Sequence, residues 1–157
     1  LPRRCSGSVG GFRISSGRKS NRHTYFSMLY AYVLKQAAML VRQVNRPAHA
    51  AEYEARAETL LIAIRTHCFD GTFFTDSLAS IADEGAYSQH CQVFAVLCGA
   101  SPPSDQARLL TSAFANPNFS KCSYMMKFYA FRAFTIAGED YLSKGRLTWY
   151  TPYFLYF

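Results

Sequence analysis

Only one tryptophan, Trp149, occurs in the 157 residues, and no acidic side chain precedes Glu52. Other absences exclude whole classes of function. No stretch reaches about 18 uninterrupted apolar residues, so no membrane-spanning helix is expected. Residues 1–21 lack the continuous apolar core of a signal peptide. The five cysteines, Cys5, Cys68, Cys91, Cys98 and Cys122, are odd in number and contain no Cys-x-x-Cys pair, so neither a zinc knuckle nor a disulfide framework is indicated. Cys91 and Cys98 share a helical face but stand roughly 10 Å apart along its axis, too far to bridge, and buried free thiols are the simplest reading. His23, His49, His67 and His90 lack ligand spacing, so no metal is expected. No Gly-x-Ser-x-Gly occurs, no cysteine is coupled to a histidine by a local motif, and Gly10-Gly11 lies in no strand-to-helix context. Nucleophilic catalysis and phosphate-loop binding are thereby set aside, and no cofactor is called for.

The net charge of +7 suggests nucleic acid until it is mapped along the chain. Arg3, Arg4, Arg13, Arg18, Lys19 and Arg22 supply most of it, whereas from His23 onward 11 basic residues face 10 acidic ones. A nearly neutral folded part offers no basic face to a phosphate backbone, so no nucleic-acid partner is expected. Residues 1–21, rich in Gly, Ser and Arg, read as a disordered basic tail, and residues 22–157 as one domain. The first residue is not Met, which fits a fragment or a processed product.

What is present is apolar and helical in its spacing. Half of the residues are hydrophobic, enough for a core, and 11 Tyr with 13 Phe exceed what a minimal helical bundle needs for packing. Tyr25, Met28, Leu29, Tyr32, Val33, Ala37 and Leu40 recur at three and four, which predicts a helix over 24–44. Asn45 and Arg46 interrupt it, and Pro47 suits the first turn of a second helix running to about His67 through Tyr53, Ala57, Leu60, Leu61 and Ile64. The short connection makes the two an antiparallel hairpin. A long loop follows from Phe69 to Tyr87. Ser88 is a fitting N-cap for a third helix through Gln92, Val93, Val96 and Leu97, with Gly99 as its stop. Pro102 and Pro103 open a fourth, ended before Asn116-Pro117. A fifth is predicted over Tyr124 to Ala137, with Met125, Phe128, Tyr129, Arg132 and Ala133 in register and Gly138 at its end, and a sixth from Glu139. Three helix pairs without a repeating sequence period favour an α/α toroid over a solenoid.

Four stretches in this order, YEARAETLLIAIR from Tyr53, the FDGTFFTDS loop, the YSQHCQVFAVLCGA helix and the SYMMKFYAFRAFTIAG helix, resemble the six-hairpin glycosidases, and most closely the α-L-rhamnosidases. The resemblance covers about Thr24 to Gly138. It implies an all-α fold, a partial (α/α)6 toroid built of helical hairpins, and inverting hydrolysis of terminal α-L-rhamnose. In that chemistry one carboxylic acid protonates the glycosidic oxygen and a second activates water, the two standing about 6.5–9.5 Å apart. The family's general acid lies upstream of the matched part, in an acidic motif absent here. Its base follows a Trp-containing helix that Trp149 could match, but no Glu occurs after Glu139. The chain is therefore expected to be catalytically incomplete alone, with rhamnosides as its carbohydrate partners and with open barrel edges that favour self-association.

The resemblance makes His90, with Gln89 beside it, the leading substrate-binding candidate, since helix starts of such barrels approach the sugar. The ordinary role of such a histidine is to hydrogen-bond and cap its helix. Asp76 has the chemistry to bind sugar hydroxyls, although beside Ser77 it more often accepts within a turn. Tyr124 offers a ring face for stacking on a sugar and a phenol for a hydrogen bond. Phe128 and Phe131 are expected in the core, and Arg132 on backbone carbonyls or a buried acid. Asp83 and Glu84 are adjacent and point apart, as a solvated loop pair does. The reading from another class is a noncatalytic helical module that binds a protein. A sugar site would show aromatic and polar residues converging at one end of the helices, and an interaction module an extended apolar face along them.

Overall fold

A computed structural model describes residues 24–78 and 87–139. The basic tail, Cys5, Asp83, Glu84, Trp149 and the sixth helix lie outside these residues. The described chain is all-α: α1 (Thr24–Gln43), α2 (Pro47–His67), α3 (Gln89–Cys98), α4 (Pro103–Ala115) and α5 (Lys127–Ile136). Strand-like pairing among the described residues consists of two isolated bridges, Phe69 with Phe74 and Ser88 with Ser120.

Each boundary has a local cause. Asn45 takes a positive φ of 57° after α1, so that Arg46 N–H reaches Val41 O at 2.9 Å and Asn45 N–H reaches Arg42 O at 3.0 Å. This pair of bonds closes the helix and turns the chain into Pro47, whose missing N–H costs nothing at a first turn. Ser88 caps α3, its hydroxyl accepting from Cys91 N–H at 3.3 Å, and Gly99 ends it at φ 79°. A side chain on Gly99 would meet the strained backbone and also Lys35 Nζ at 3.3 Å, which is donating to Cys98 O.

At the centre stands α3. Eight of its ten residues are buried, as an all-round apolar helix requires, and α1, α4 and α5 pack against it while α2 covers α1. Phe94, fully enclosed, meets the rings of Tyr25, Tyr32 and Tyr129 at 5.3, 6.0 and 5.2 Å between centroids. Burying aromatic rings of this size supplies much of the packing energy.

Three expectations are corrected. The fifth helix begins at Lys127 and not at Tyr124, because Cys122 N–H is held by the Gln89 side chain at 2.9 Å and residues 124–126 form a turn, with Met126 N–H on Ser123 O. Phe128 then falls on the outside, 60% exposed, with the Arg132 guanidinium 6.0 Å from its ring centre. Arg132 is exposed beside that ring and does not serve a buried acid. Cys68, Cys91, Cys98 and Cys122 are buried free thiols, as expected.

Candidate functional site

Three helix starts and the end of a fourth helix meet at one end of the bundle. Thr24 at the start of α1 donates from its backbone N–H to Asp76 O and from its hydroxyl to Ser77 O, both at 3.4 Å. Gln89 at the start of α3 donates its N–H to Ser120 O at 2.9 Å. Met126, before α5, lies with its sulfur 3.9 Å from the Tyr25 hydroxyl. The loop leaving α2 completes the end wall.

That loop is ordered by its own side chains. Asp70 Oδ1 accepts from Thr72 N–H and Phe73 N–H, both at 2.7 Å, and its Oδ2 accepts from the Tyr87 hydroxyl at 2.6 Å. Gly71, at φ 98°, supplies the bend that a side chain would strain. Burial alone would raise the Asp70 carboxyl, but these donors outweigh it and hold it below its usual range. Sharing its proton with Asp70 pushes the Tyr87 phenol up to about 12. Farther in, Gln92 is fully buried. Its Oε1 accepts from Phe74 N–H at 3.0 Å, and its Nε2 donates to Phe74 O at 2.7 Å and Ser88 O at 3.2 Å.

The structure brings Asp76, Gln89 and His90 into this network. Asp76 is buried, and its Oδ1 accepts from the Ser88 hydroxyl at 2.5 Å and the Cys91 thiol at 3.1 Å. Burial first, and then the neighbouring Asp76, push the Cys91 thiol well above its ordinary value. Gln89 is buried too and engaged by Cys122 N–H. His90 is half-buried, its ring edge-on to Tyr25 at 5.6 Å between centroids. Burial lowers its pKa and the nearby Asp76 partly offsets this, so the neutral imidazole is favoured, with a nitrogen able to accept a hydrogen bond. Tyr25 is raised by its own burial, and by Tyr129, Cys122 and Cys91, so it remains a phenol. Tyr124 is exposed in the turn before α5. Of the four candidates, then, Asp76 and Gln89 hold the end wall together, while His90 and Tyr124 retain access to solvent.

Sequence reasoning passed over Gln92, Asp70 and Tyr25. Gln92 had a visible signal, an amide inside the run QHCQVFAVLC, where an apolar residue is the default and a polar one needs a partner. It also missed a cleft of about 500 Å³, lined by Arg65, Phe69, Thr72, Pro103, Asp105 and Arg108 among others, between the 69–74 turn and the start of α4. None of the four candidates lines it. Arg65 is held there by Gly99 O at 2.7 Å, Ala100 O at 3.0 Å and Glu58 at 3.0 Å. We assign it no chemistry, because its Arg65 is already engaged by backbone carbonyls and Glu58. Among the described residues no cluster of His, Cys, Asp or Glu has metal-binding geometry, and no helix is long and apolar enough to cross a membrane. The chain matches no family model, no curated protein and no solved structure.

Proposed function

We propose that this chain is a segment of an α-L-rhamnosidase-like glycoside hydrolase, a partial (α/α)6 toroid whose sugar-facing end is the one where α1, α3 and α5 begin. The observation that supports the reading is the gathering at that end of polar and aromatic side chains: His90 against Tyr25, Asp76 near His90, and Met126 of the turn that carries Tyr124 against the Tyr25 hydroxyl. Aromatic faces beside hydrogen-bonding side chains suit a hydroxyl-rich ligand such as a sugar. Asp70 and Asp76, the carboxyls of the wall, both accept hydrogen bonds from the chain itself. They serve structure, so binding without hydrolysis is the expected behaviour.

The test is a titration with L-rhamnose followed by NMR of the His90 and Tyr124 rings, with D-glucose as the control sugar. Millimolar binding that shifts both rings and is lost in His90→Ala is expected, together with no release of p-nitrophenol from p-nitrophenyl α-L-rhamnoside. Unmoved rings at saturating rhamnose would remove the sugar site, and turnover would remove the catalytic incompleteness. A second reading, a noncatalytic helical interaction module, is favoured by a different observation, the uncharged apolar outer face of α1.

A further inference from the structure

Five residues of α1, Phe26, Tyr30, Val33, Ala37 and Leu40, together with Val44 just past its end, fall at alternating steps of four and three. This is the spacing of a seam between two helices, and at 1.5 Å per residue it runs for roughly 27 Å. The five larger side chains of the seam are each 49–66% exposed. Met28, Ala31 and Ala38 hold the opposite, buried face of the helix against the rest of the molecule.

Charge separates this face from an ordinary solvated one. The two charged residues of α1 are Lys35 and Arg42, and both are bonded away from the seam, Lys35 Nζ to Cys98 O at 2.7 Å and Arg42 to Glu54 of α2 in an exposed pair at 2.6 Å. The positions flanking the seam are Ser27, Leu34 and Val41 on one side and Leu29, Gln36 and Gln43 on the other. Nothing there would repel an identical helix, and nothing would select a charged partner.

We propose that the outer face of α1 is a homodimer interface, in which it pairs antiparallel with α1 of a second copy of this chain. The order of residue sizes carries the direction. Antiparallel pairing about the helix midpoint sets Phe26 against Val44, Tyr30 against Leu40 and Val33 against Ala37, each larger residue against a smaller one. Parallel pairing would oppose Phe26 to Phe26 and Ala37 to Ala37, crowding one end and leaving a gap in the middle. The helix dipoles also oppose each other favourably only when antiparallel. Five half-exposed side chains at roughly 100 Å² each supply about 500 Å² per partner, or about 1,000 Å² in all, which reaches the lower bound of a specific interface and suits a reversible dimer. This interface stands on α1 alone and does not depend on the glycosidase reading.

Sedimentation of the full chain, joined to cysteine pairing, tests it. A reversible dimer at micromolar concentration is expected, and Tyr30→Glu with Leu40→Glu, both on the exposed face, should raise its dissociation constant by about a hundredfold or more while circular dichroism keeps its helix signal. Val33→Cys with Ala37→Cys should yield a covalent dimer above the wild-type background under mild oxidation, whereas Phe26→Cys alone should not, because its partner is Val44. Efficient cross-linking through Phe26→Cys would overturn the antiparallel pairing. A dimer that survives the double Glu change would move the interface elsewhere. A chain that stays monomeric at about 100 µM would overturn the proposal, with binding to neutral lipid vesicles then giving the face to a membrane surface and its absence giving the face to another part of the protein.

Discussion

The start of α3 and the outer face of α1 lie on neighbouring helices and solve opposite problems. Around Ser88 to Gln92 the chain buries polar groups, and each hydrogen bond there has a named partner: Asp76 holds Ser88 and Cys91, Gln92 holds both backbone groups of Phe74, and Gln89 holds Cys122. Along Phe26 to Val44 the chain does the reverse and leaves apolar side chains in water with no charge among them. The polar wall pairs its own groups within one molecule, the buried Ser77 hydroxyl excepted, so it acts as structure. The apolar face is incomplete within one molecule, so it is the place to look for a partner.

The largest effect should come from breaking the wall at its most enclosed point. Gln92→Leu keeps the volume but strands the N–H and C=O of Phe74, and urea denaturation should show a loss of about 2–4 kcal/mol. A change below half a kilocalorie would mean that the loop repacks freely and that the wall is not a rigid support for His90.

A smaller effect concerns proton uptake at the same wall. Burial lowers the His90 pKa below its ordinary 6.5, so the unfolded chain binds the proton more readily than the folded one. Its contribution is therefore intact above about pH 6.5 and is lost as pH falls through the folded value, which should lower the melting temperature by about a few degrees between pH 7.5 and 5. His90→Gln should flatten that part of the profile, and an unchanged slope would show that the titration belongs to other groups.

The smallest effect is expected on the apolar face. Leu40→Ser, measured at nanomolar concentration where the chain is monomeric, should change the unfolding free energy by no more than about 0.5 kcal/mol, because the side chain has little to lose. A loss of several times that would show Leu40 packed within the monomer and would erase the contrast between the two regions.

Most of the helical architecture was legible because its signals are local. Pro47 and Pro103 open helices, Ser88 caps one, and Gly99 and Gly138 end two, and each acts through backbone geometry within a few residues. The start of α5 was misplaced by three residues because a long-range bond decides it, Gln89 to Cys122, 33 residues apart. The same limit applies to the wall. Asp76 is joined to Ser88 across 12 residues and Gln92 to Phe74 across 18, distances at which spacing carries no information. Periodicity did place Tyr30, Val33 and Leu40 on a helix, but which side of that helix the molecule covers depends on where α2 and α3 dock.

The four buried thiols bear on how this molecule opens. Cys68 and Cys122 lie near the polar wall, Cys91 in the first turn of α3 and Cys98 at its far end. Burial pushes Cys98 up to about 11 and Cys122 up to about 12, so at pH 8 on the order of a thousandth of Cys98, and less of Cys122, is thiolate in the closed form. An alkylating reagent must therefore wait for a fluctuation that both exposes and ionises the sulfur. Each native cysteine is then a clock for its own locality, and the order in which the four are modified, read by mass spectrometry without any engineered label, is the order in which the two ends of α3 come undone.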